Sequence, residues 1–137
     1  MKNTLIDSGP LVAFLDRRDQ WHEWAAAEFA KATEAFQTCD AVLSEVCFLL
    51  SGVSAAIDRL KRLIKEQALR SVYFAGPENI LLLELMHRYA SVPMSFADAC
   101  LVRMSEVIPA STVFTTDSDF RIYRRSRRQL IPLLIPD

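Results

Sequence analysis

The chain has 137 residues, 51% of them hydrophobic, and a formal net charge of −1. That length suits one domain around one core, expected to span residues 1–137. The near-neutral charge excludes a general polybasic nucleic-acid binder but leaves room for a local basic patch.

The chain opens without a basic-then-apolar leader, and no apolar run approaches the ~20 residues that cross a bilayer. Neither a signal peptide nor a membrane partner is expected, and the protein is placed in the cytoplasm. Thr4-Leu5-Ile6 is a short apolar run that ends in Asp7, and Ser8-Gly9-Pro10 leads into Leu11-Val12-Ala13-Phe14-Leu15. A buried strand, a tight turn and a helix start fit this pattern, because proline in a first helical turn lacks only an amide that would be unpaired anyway. Asp7 then stands at the carboxyl end of a core strand, the edge where open α/β sheets bind ligands. Capping of the helix by Asp7 or Ser8 is the alternative role.

Gln20 to Glu34 reads as a helix with an apolar stripe of Trp21, Trp24, Ala25, Phe29 and Ala32, and His22 lies off that stripe on the surface. Ala35 to Cys39 is a weak second strand, and Asp40 can cap a helix from Ala41 to Leu50. Glu45 has Val42 and Phe48 three residues away and Ala41 and Leu49 four away, so it shares a face with apolar neighbours. A carboxylate buried there without a partner is costly; the alternative is a rim position from which it reaches water. Cys39, Cys47 and Cys100 form no C-x-x-C pair and sit in apolar stretches, so core thiols are expected rather than ligands or a redox pair.

Ala55 to Gln67 is amphipathic, with Ile57, Leu60, Leu63 and Ile64 expected inside. Leu69 to Ala75 is a third strand, ended by Gly76-Pro77. The helix Glu78 to Ala90 is expected to bury Ile80, Leu81, Leu83, Leu85 and Met86. Ser95 and Asp98 have capping-box spacing at the start of a helix running to about Val107. Thr112 to Thr115 is a fourth buried strand, followed by Thr116-Asp117-Ser118-Asp119-Phe120, which again places acids where a strand stops. Ile122-Tyr123 is expected to form an edge strand, and Arg124-Arg125-Ser126-Arg127-Arg128-Gln129 a basic turn. Leu130 to Pro136 is apolar and extended, with prolines that suit an edge.

Strands alternating with helices predict an α/β fold: three layers, α/β/α, around a mostly parallel central sheet. Right-handed crossovers then bring strand ends of one polarity to one edge. Asp7 and Asp117 follow strand ends, while Glu45 and Asp98 are read in the first turns of helices that start near that edge. Each close pair of such carboxylates costs about 4 kcal/mol at ~4 Å and an effective dielectric of ~20. A divalent cation relieves that repulsion, and hard oxygen ligands without His or Cys favour Mg2+ or Mn2+. Such ions serve phosphate chemistry, as Lewis acids and by acidifying water. A Gly-rich phosphate loop with its lysine is missing, which argues against a nucleoside-triphosphate enzyme.

Four stretches together resemble a PIN domain and, within that group, the VapC-type ribonuclease toxins of prokaryotic toxin–antitoxin pairs. They are Leu5 to Ala13, Ser44-Glu45-Val46, Phe96 to Val102 and Thr115 to Phe120, in family order and spanning nearly the whole chain. The resemblance implies that Asp7, Glu45, Asp98 and Asp117 bind metal and carry catalysis, with Asp119 joining or replacing Asp117. Ser8 matches the small polar residue after the first acid and Thr116 the hydroxyl residue before the fourth. It also implies strand order of about 3-2-1-4-5; the extended tail Leu130 to Pro136 departs from the shortest members of the family and is expected to form a final hairpin with Ile122-Tyr123. The implied activity is a metal-dependent endoribonuclease that hydrolyses RNA phosphodiesters, held off by a cognate antitoxin protein. A homodimer is left open. RNA is expected to cross the basic turn through Arg121, Arg124, Arg125, Arg127 and Arg128. The competing readings are a non-catalytic interaction module in which the acids only cap helices, and a housekeeping RNA-processing nuclease. A phosphotransfer receiver or doubly wound phosphatase fits worse: Asp7 is followed by Ser8-Gly9 rather than Asp-x-Asp, and no later strand end offers the receiver's Lys.

Overall fold

A computed structural model describes residues 2–137. Its strands are β1 (Asn3–Ile6), β2 (Phe36–Cys39), β3 (Leu69–Tyr73), β4 (Ser111–Phe114), β5 (Arg124–Arg125), β6 (Gln129–Leu130) and β7 (Leu133–Leu134). The helices are α1 (Ser8–Leu15), α2 (His22–Lys31), α3 (Asp40–Leu49), α4 (Ala56–Lys65), α5 (Asn79–Arg88) and α6 (Phe96–Val107). A five-stranded, wholly parallel sheet flanked by helices forms the centre, in the order β3-β2-β1-β4-β7. No helix among the described residues is long and apolar enough to cross a membrane.

The core follows from the strand alternation and the apolar side of each helix. Leu5, Ile6, Val113 and Phe114 are fully buried in the two central strands. An aromatic group closes one side: Phe14 stacks on Phe29 at 3.9 Å, and Trp24 meets Phe114 edge-on at 5.3 Å. Helix α2 contributes Ala25, Trp24 and Phe29 to it, whereas Ala32, expected on the same stripe, lies past the helix end and is exposed.

The expected order holds, with a change at its fifth place. The tail strand that fills this place is β7, bound parallel to β4 through Val113 N–H to Pro132 O and Thr115 N–H to Leu134 O. The hairpin that precedes it uses neither Ile122 nor Tyr123. It pairs β5 with β6 outside the main sheet, because Tyr123 turns inward and is fully buried.

Helix faces were the least legible feature. In α4, Ala56 and Leu60 are buried while Ile57 and Ile64 are 46% and 44% exposed. In α5, Leu82 and Leu85 go inside; Ile80, Leu81 and Leu83 face out. That helix is apolar nearly all round, so periodicity alone cannot select its buried side. In α3, Phe48 is 77% exposed and Leu49 is also exposed, so the face shared with Glu45 is no buried apolar stripe. Asp40 does not cap α3; it lies in the first turn and accepts a hydrogen bond from Ser71 Oγ at 2.7 Å. Cys39 and Cys100 are buried, but Cys47 is exposed.

Candidate active site

The strand order reverses direction between β1 and β4: the first crossovers run from β1 to β2 to β3, and the next returns past β1. Ligand crevices of open α/β sheets form at such a point, outside the carboxyl ends of the strands. Asp7 follows the last residue of β1, and the Thr115-Thr116-Asp117 segment follows β4. The β1–β4 register places Ile6 beside Phe114, and Asp7 N–H continues the ladder to Phe114 O at 2.9 Å. Asp7 and Thr115 therefore come side by side.

Asp7 is the centre of a hydroxyl and amide network. Its Oδ1 accepts from Ser8 N–H at 2.7 Å, and its Oδ2 accepts from Thr115 Oγ1 at 2.7 Å. The Ser8 hydroxyl lies 3.5 Å from Asp7 Oδ1 and 3.2 Å from Glu45 Oε1, tying the first acid to the second. Thr115 Oγ1 also accepts from Asp117 N–H at 3.0 Å, tying the first acid to the fourth. Asp98 sits at the start of α6 in the anticipated capping box: its N–H donates to Ser95 Oγ and its Oδ2 accepts from Ser95 N–H. Asp117 caps the short 3-10 turn Ser118–Arg121 by accepting from Asp119 N–H at 2.9 Å. Capping and convergence thus coexist at Asp7, Asp98 and Asp117.

The electrostatics are those of buried carboxyls with like charges nearby. Asp7 is 5% exposed. Burial pushes its carboxyl from an ordinary 3.8 up to about 7; the Asp98 and Glu45 charges push the same way, against the hydrogen bonds from Thr115 and Ser8. Asp98 is also raised, first by burial and then by the Asp117 and Glu45 charges. None of the ion pairs among the described residues includes Asp7, Glu45, Asp98 or Asp117. Equally, no three His, Cys, Asp or Glu side chains among the described residues close into a metal-holding group. The acids feel one another's charge without being drawn onto a single point. Beside them, a cavity of about 560 Å³ is lined by Ser44, Glu45, Phe48, Ser95 and Phe96, among others.

Two hydroxyl residues escaped the sequence reading. Thr115, not Thr116, bonds Asp7. Thr116 Oγ1 packs instead on the α1 turn, where a Cβ on Gly9 would stand 2.1 Å from it. That close approach explains the glycine in Ser8-Gly9-Pro10. Spacing by two from the core residue Val113 was the available signal for Thr115. Tyr123 is the second: its hydroxyl lies 2.9 Å from Pro93 O and 3.4 Å from Asp98 Oδ2. No local pattern announced it.

The basic turn is partly committed to the protein itself. Arg124 Nη1 donates to the carbonyls of Arg121, Ile122 and Tyr123, and Arg125 Nη1 to Ser105 O. Arg121, Arg127 and Arg128 are exposed. His22, expected on the surface, is half-buried, with Nδ1 2.7 Å from Ala13 O.

The PIN domain family profile matches residues 4–126. The fold is shared with VapC20 of Mycobacterium tuberculosis, described as a toxin that cleaves the sarcin–ricin loop, with a TM-score of 0.76 and 20% identity over 95% of this chain and 100% of that one. A comparison with curated proteins gives no match. With its sheet order, its acids at the β1–β4 reversal and a profile match over most of its length, the chain belongs to the PIN domain family.

Proposed function

We propose that this chain is a divalent-metal-dependent endoribonuclease of VapC type, the toxin of a toxin–antitoxin pair, with residues 1–137 forming one nuclease domain. The observation that carries the reading is the group of Asp7, Glu45, Asp98 and Asp117 at the reversal point, held by hydroxyls and amides and paired with no cation among the described residues. A non-catalytic module in which the acids only cap helices has no need to bury Asp7 against the charges of Asp98 and Glu45.

The donor set suits Mg2+ or Mn2+. It is all carboxylate and hydroxyl oxygen, and its negative charge is uncompensated. Asp7, Glu45, Asp98 and Asp117 would hold the ion, and Asp119 lies within the same turn as Asp117. When bound, the ion supplies Lewis acidity toward the phosphodiester and acidity to water. The protein supplies position. Thr115 and Ser8 N–H hold the two oxygens of Asp7, Ser8 Oγ orients Glu45, and the Ser95 box orients Asp98. The exposed Arg121, Arg127 and Arg128 offer charge to an RNA backbone.

The test is cleavage of single-stranded RNA in Mn2+ or Mg2+ by wild type and Asp98→Asn. Asp98→Asn should retain RNA binding and lose at least ~100-fold in rate, the scale of removing one preorganised electrostatic group. Cleavage by wild type that persists undiminished in EDTA would refute the metal dependence. A small reading frame beside this one, encoding a protein that binds this chain and blocks cleavage, would establish the toxin role over housekeeping processing.

A further inference from the structure

We infer that Tyr123 is a positioning residue for the metal centre: its hydroxyl braces Asp98 Oδ2 and leaves Oδ1 as the oxygen presented to the cation. This assignment rests on the metal-centre reading above and extends it to a residue outside the acidic set.

Tyr123 is fully buried although it sits in a run of arginines. Its ring is clamped edge-on between Tyr89, at 5.2 Å, and Phe120, at 5.1 Å. Two rings in T-shaped contact leave it little freedom to rotate. Its backbone N–H donates to Asp119 O at 3.1 Å, so it is anchored to the turn that carries Asp117. Its hydroxyl reaches the other side: Pro93 O at 2.9 Å, in the loop that leads into α6, and Asp98 Oδ2 at 3.4 Å. The single phenolic proton goes to the nearer acceptor, Pro93 O, and Asp98 Oδ2 at 3.4 Å is a longer polar contact to the same hydroxyl. Tyr123 is thus a rigid strut between the segment of the fourth acid and the helix of the third.

The consequence is local to one carboxylate. Oδ2 of Asp98 receives Ser95 N–H at 3.1 Å and the longer contact of the Tyr123 hydroxyl, while Oδ1 makes no hydrogen bond among the described residues. A ligand carboxylate held on one oxygen by the protein turns the other toward its ion, and outer partners of this kind tune metal affinity strongly. Tyr89 provides an internal control. Its hydroxyl, in the same aromatic group, accepts from Arg124 N–H at 3.0 Å and touches no acid.

The experiment uses the full chain with Mn2+ as the probe. Mn2+ affinity is titrated calorimetrically for wild type, Tyr123→Phe, Tyr89→Phe and Asp98→Asn, below each variant's melting temperature. Phenylalanine keeps both ring contacts and removes only the hydroxyl. Tyr123→Phe should weaken Mn2+ binding by ~10-fold, the lower end of outer-partner effects. Its RNA cleavage should fall at limiting Mn2+ and recover at saturating Mn2+, and Tyr89→Phe should bind Mn2+ like wild type. Mn2+ affinity of Tyr123→Phe within twofold of wild type, or an equal loss in Tyr89→Phe, overturns the assignment while the metal centre stands. Unchanged affinity in Asp98→Asn overturns the metal centre and this assignment with it.

Discussion

At the N-terminal end of α6, Asp98 lies near the charges of Asp7, Glu45 and Asp117, with no cation in ion-pair range among the described residues. At the far end of the same helix the charges are matched. Arg103 is held by Glu78 at 2.8 Å and Glu106 at 3.2 Å, Tyr73 donates to Glu78 at 2.6 Å, and Ser126 N–H donates to Glu106 at 2.6 Å. The titration behaviour divides accordingly. Arg103 and Tyr73 hold the Glu78 carboxyl below its ordinary value, whereas burial raises Asp7 and Asp98. One end of the helix uses charge to fasten α5, α6 and the β5–β6 turn together. The other keeps carboxyls that burial, and then one another's charge, push toward the neutral form. Charge that fastens this fold together is paired, and the proposed metal site is where carboxylates have no ion-pair partner among the described residues.

The sharpest test of that contrast is metal-dependent stability. A ligand at ~100 times its Kd adds about 2.7 kcal/mol to a native state that alone binds it. The melting temperature of wild type should therefore rise by several degrees in millimolar Mn2+. The rise should vanish in the Asp7→Asn, Asp98→Asn double variant and persist in Arg103→Met. A rise of equal size in the double variant would place the cation elsewhere.

Breaking the matched end should cost stability and nothing else. Arg103→Met leaves Glu78 and Glu106 half-buried without their partner, at a cost of about 2 kcal/mol. Denaturant unfolding measures it, and the Mn2+ response should be unchanged. A metal response that disappears with Arg103 would mean that the two ends are coupled through α6.

Without metal, the two ends should respond to pH with opposite sign. Asp7 titrates near 7 in the fold against an ordinary 3.8. Between those values the folded chain holds the extra proton, so this carboxyl's contribution to stability falls as pH rises from about 4 to about 7. Glu78 is lowered, so its contribution is complete above its unfolded pKa and is lost as pH falls through its folded one. Asp7→Asn should thus be more stable than metal-free wild type at pH 7.5, by about 1–2 kcal/mol once the altered bonds to Ser8 and Thr115 are counted. The gain should shrink toward pH 5. A variant less stable than wild type at pH 7.5 would show that the cap and the Thr115 bond outweigh the repulsion.

The smallest effect lies at the basic turn, where structure divides the arginines. Arg127→Gln with Arg128→Gln should weaken single-stranded RNA binding and flatten the salt dependence by about 0.7 in log K per log[salt] for each phosphate no longer neutralised. Arg124→Gln should chiefly loosen the turn, since its guanidinium serves three backbone carbonyls. An unchanged salt slope in the double variant would make the turn a solvated loop.

The sequence by itself determined the alternation of elements, the parallel sheet and the places of Asp7, Asp98 and Asp117 at element boundaries; Glu45, read in a first helical turn, is the sixth residue of α3. Those features are written in short-range signals. Apolar runs that stop at Asp7 and Thr115, a proline early in α1 and the Ser95–Asp98 box each act within a turn of chain. Tertiary structure alone decided which neighbours those acids meet. Thr115 rather than Thr116 reaches Asp7 because strand register, set by hydrogen bonds between segments 108 residues apart, chooses which face each side chain takes. Leu82 rather than Leu83 enters the core because α5 offers apolar residues on nearly every side. Arg124 turns back onto the carbonyls of Arg121, Ile122 and Tyr123, which the fold brings within reach of its guanidinium. Tyr123 reads as an edge residue among arginines until Tyr89 and Phe120 close over it, because burial is a property of what packs against a side chain and not of the side chain alone.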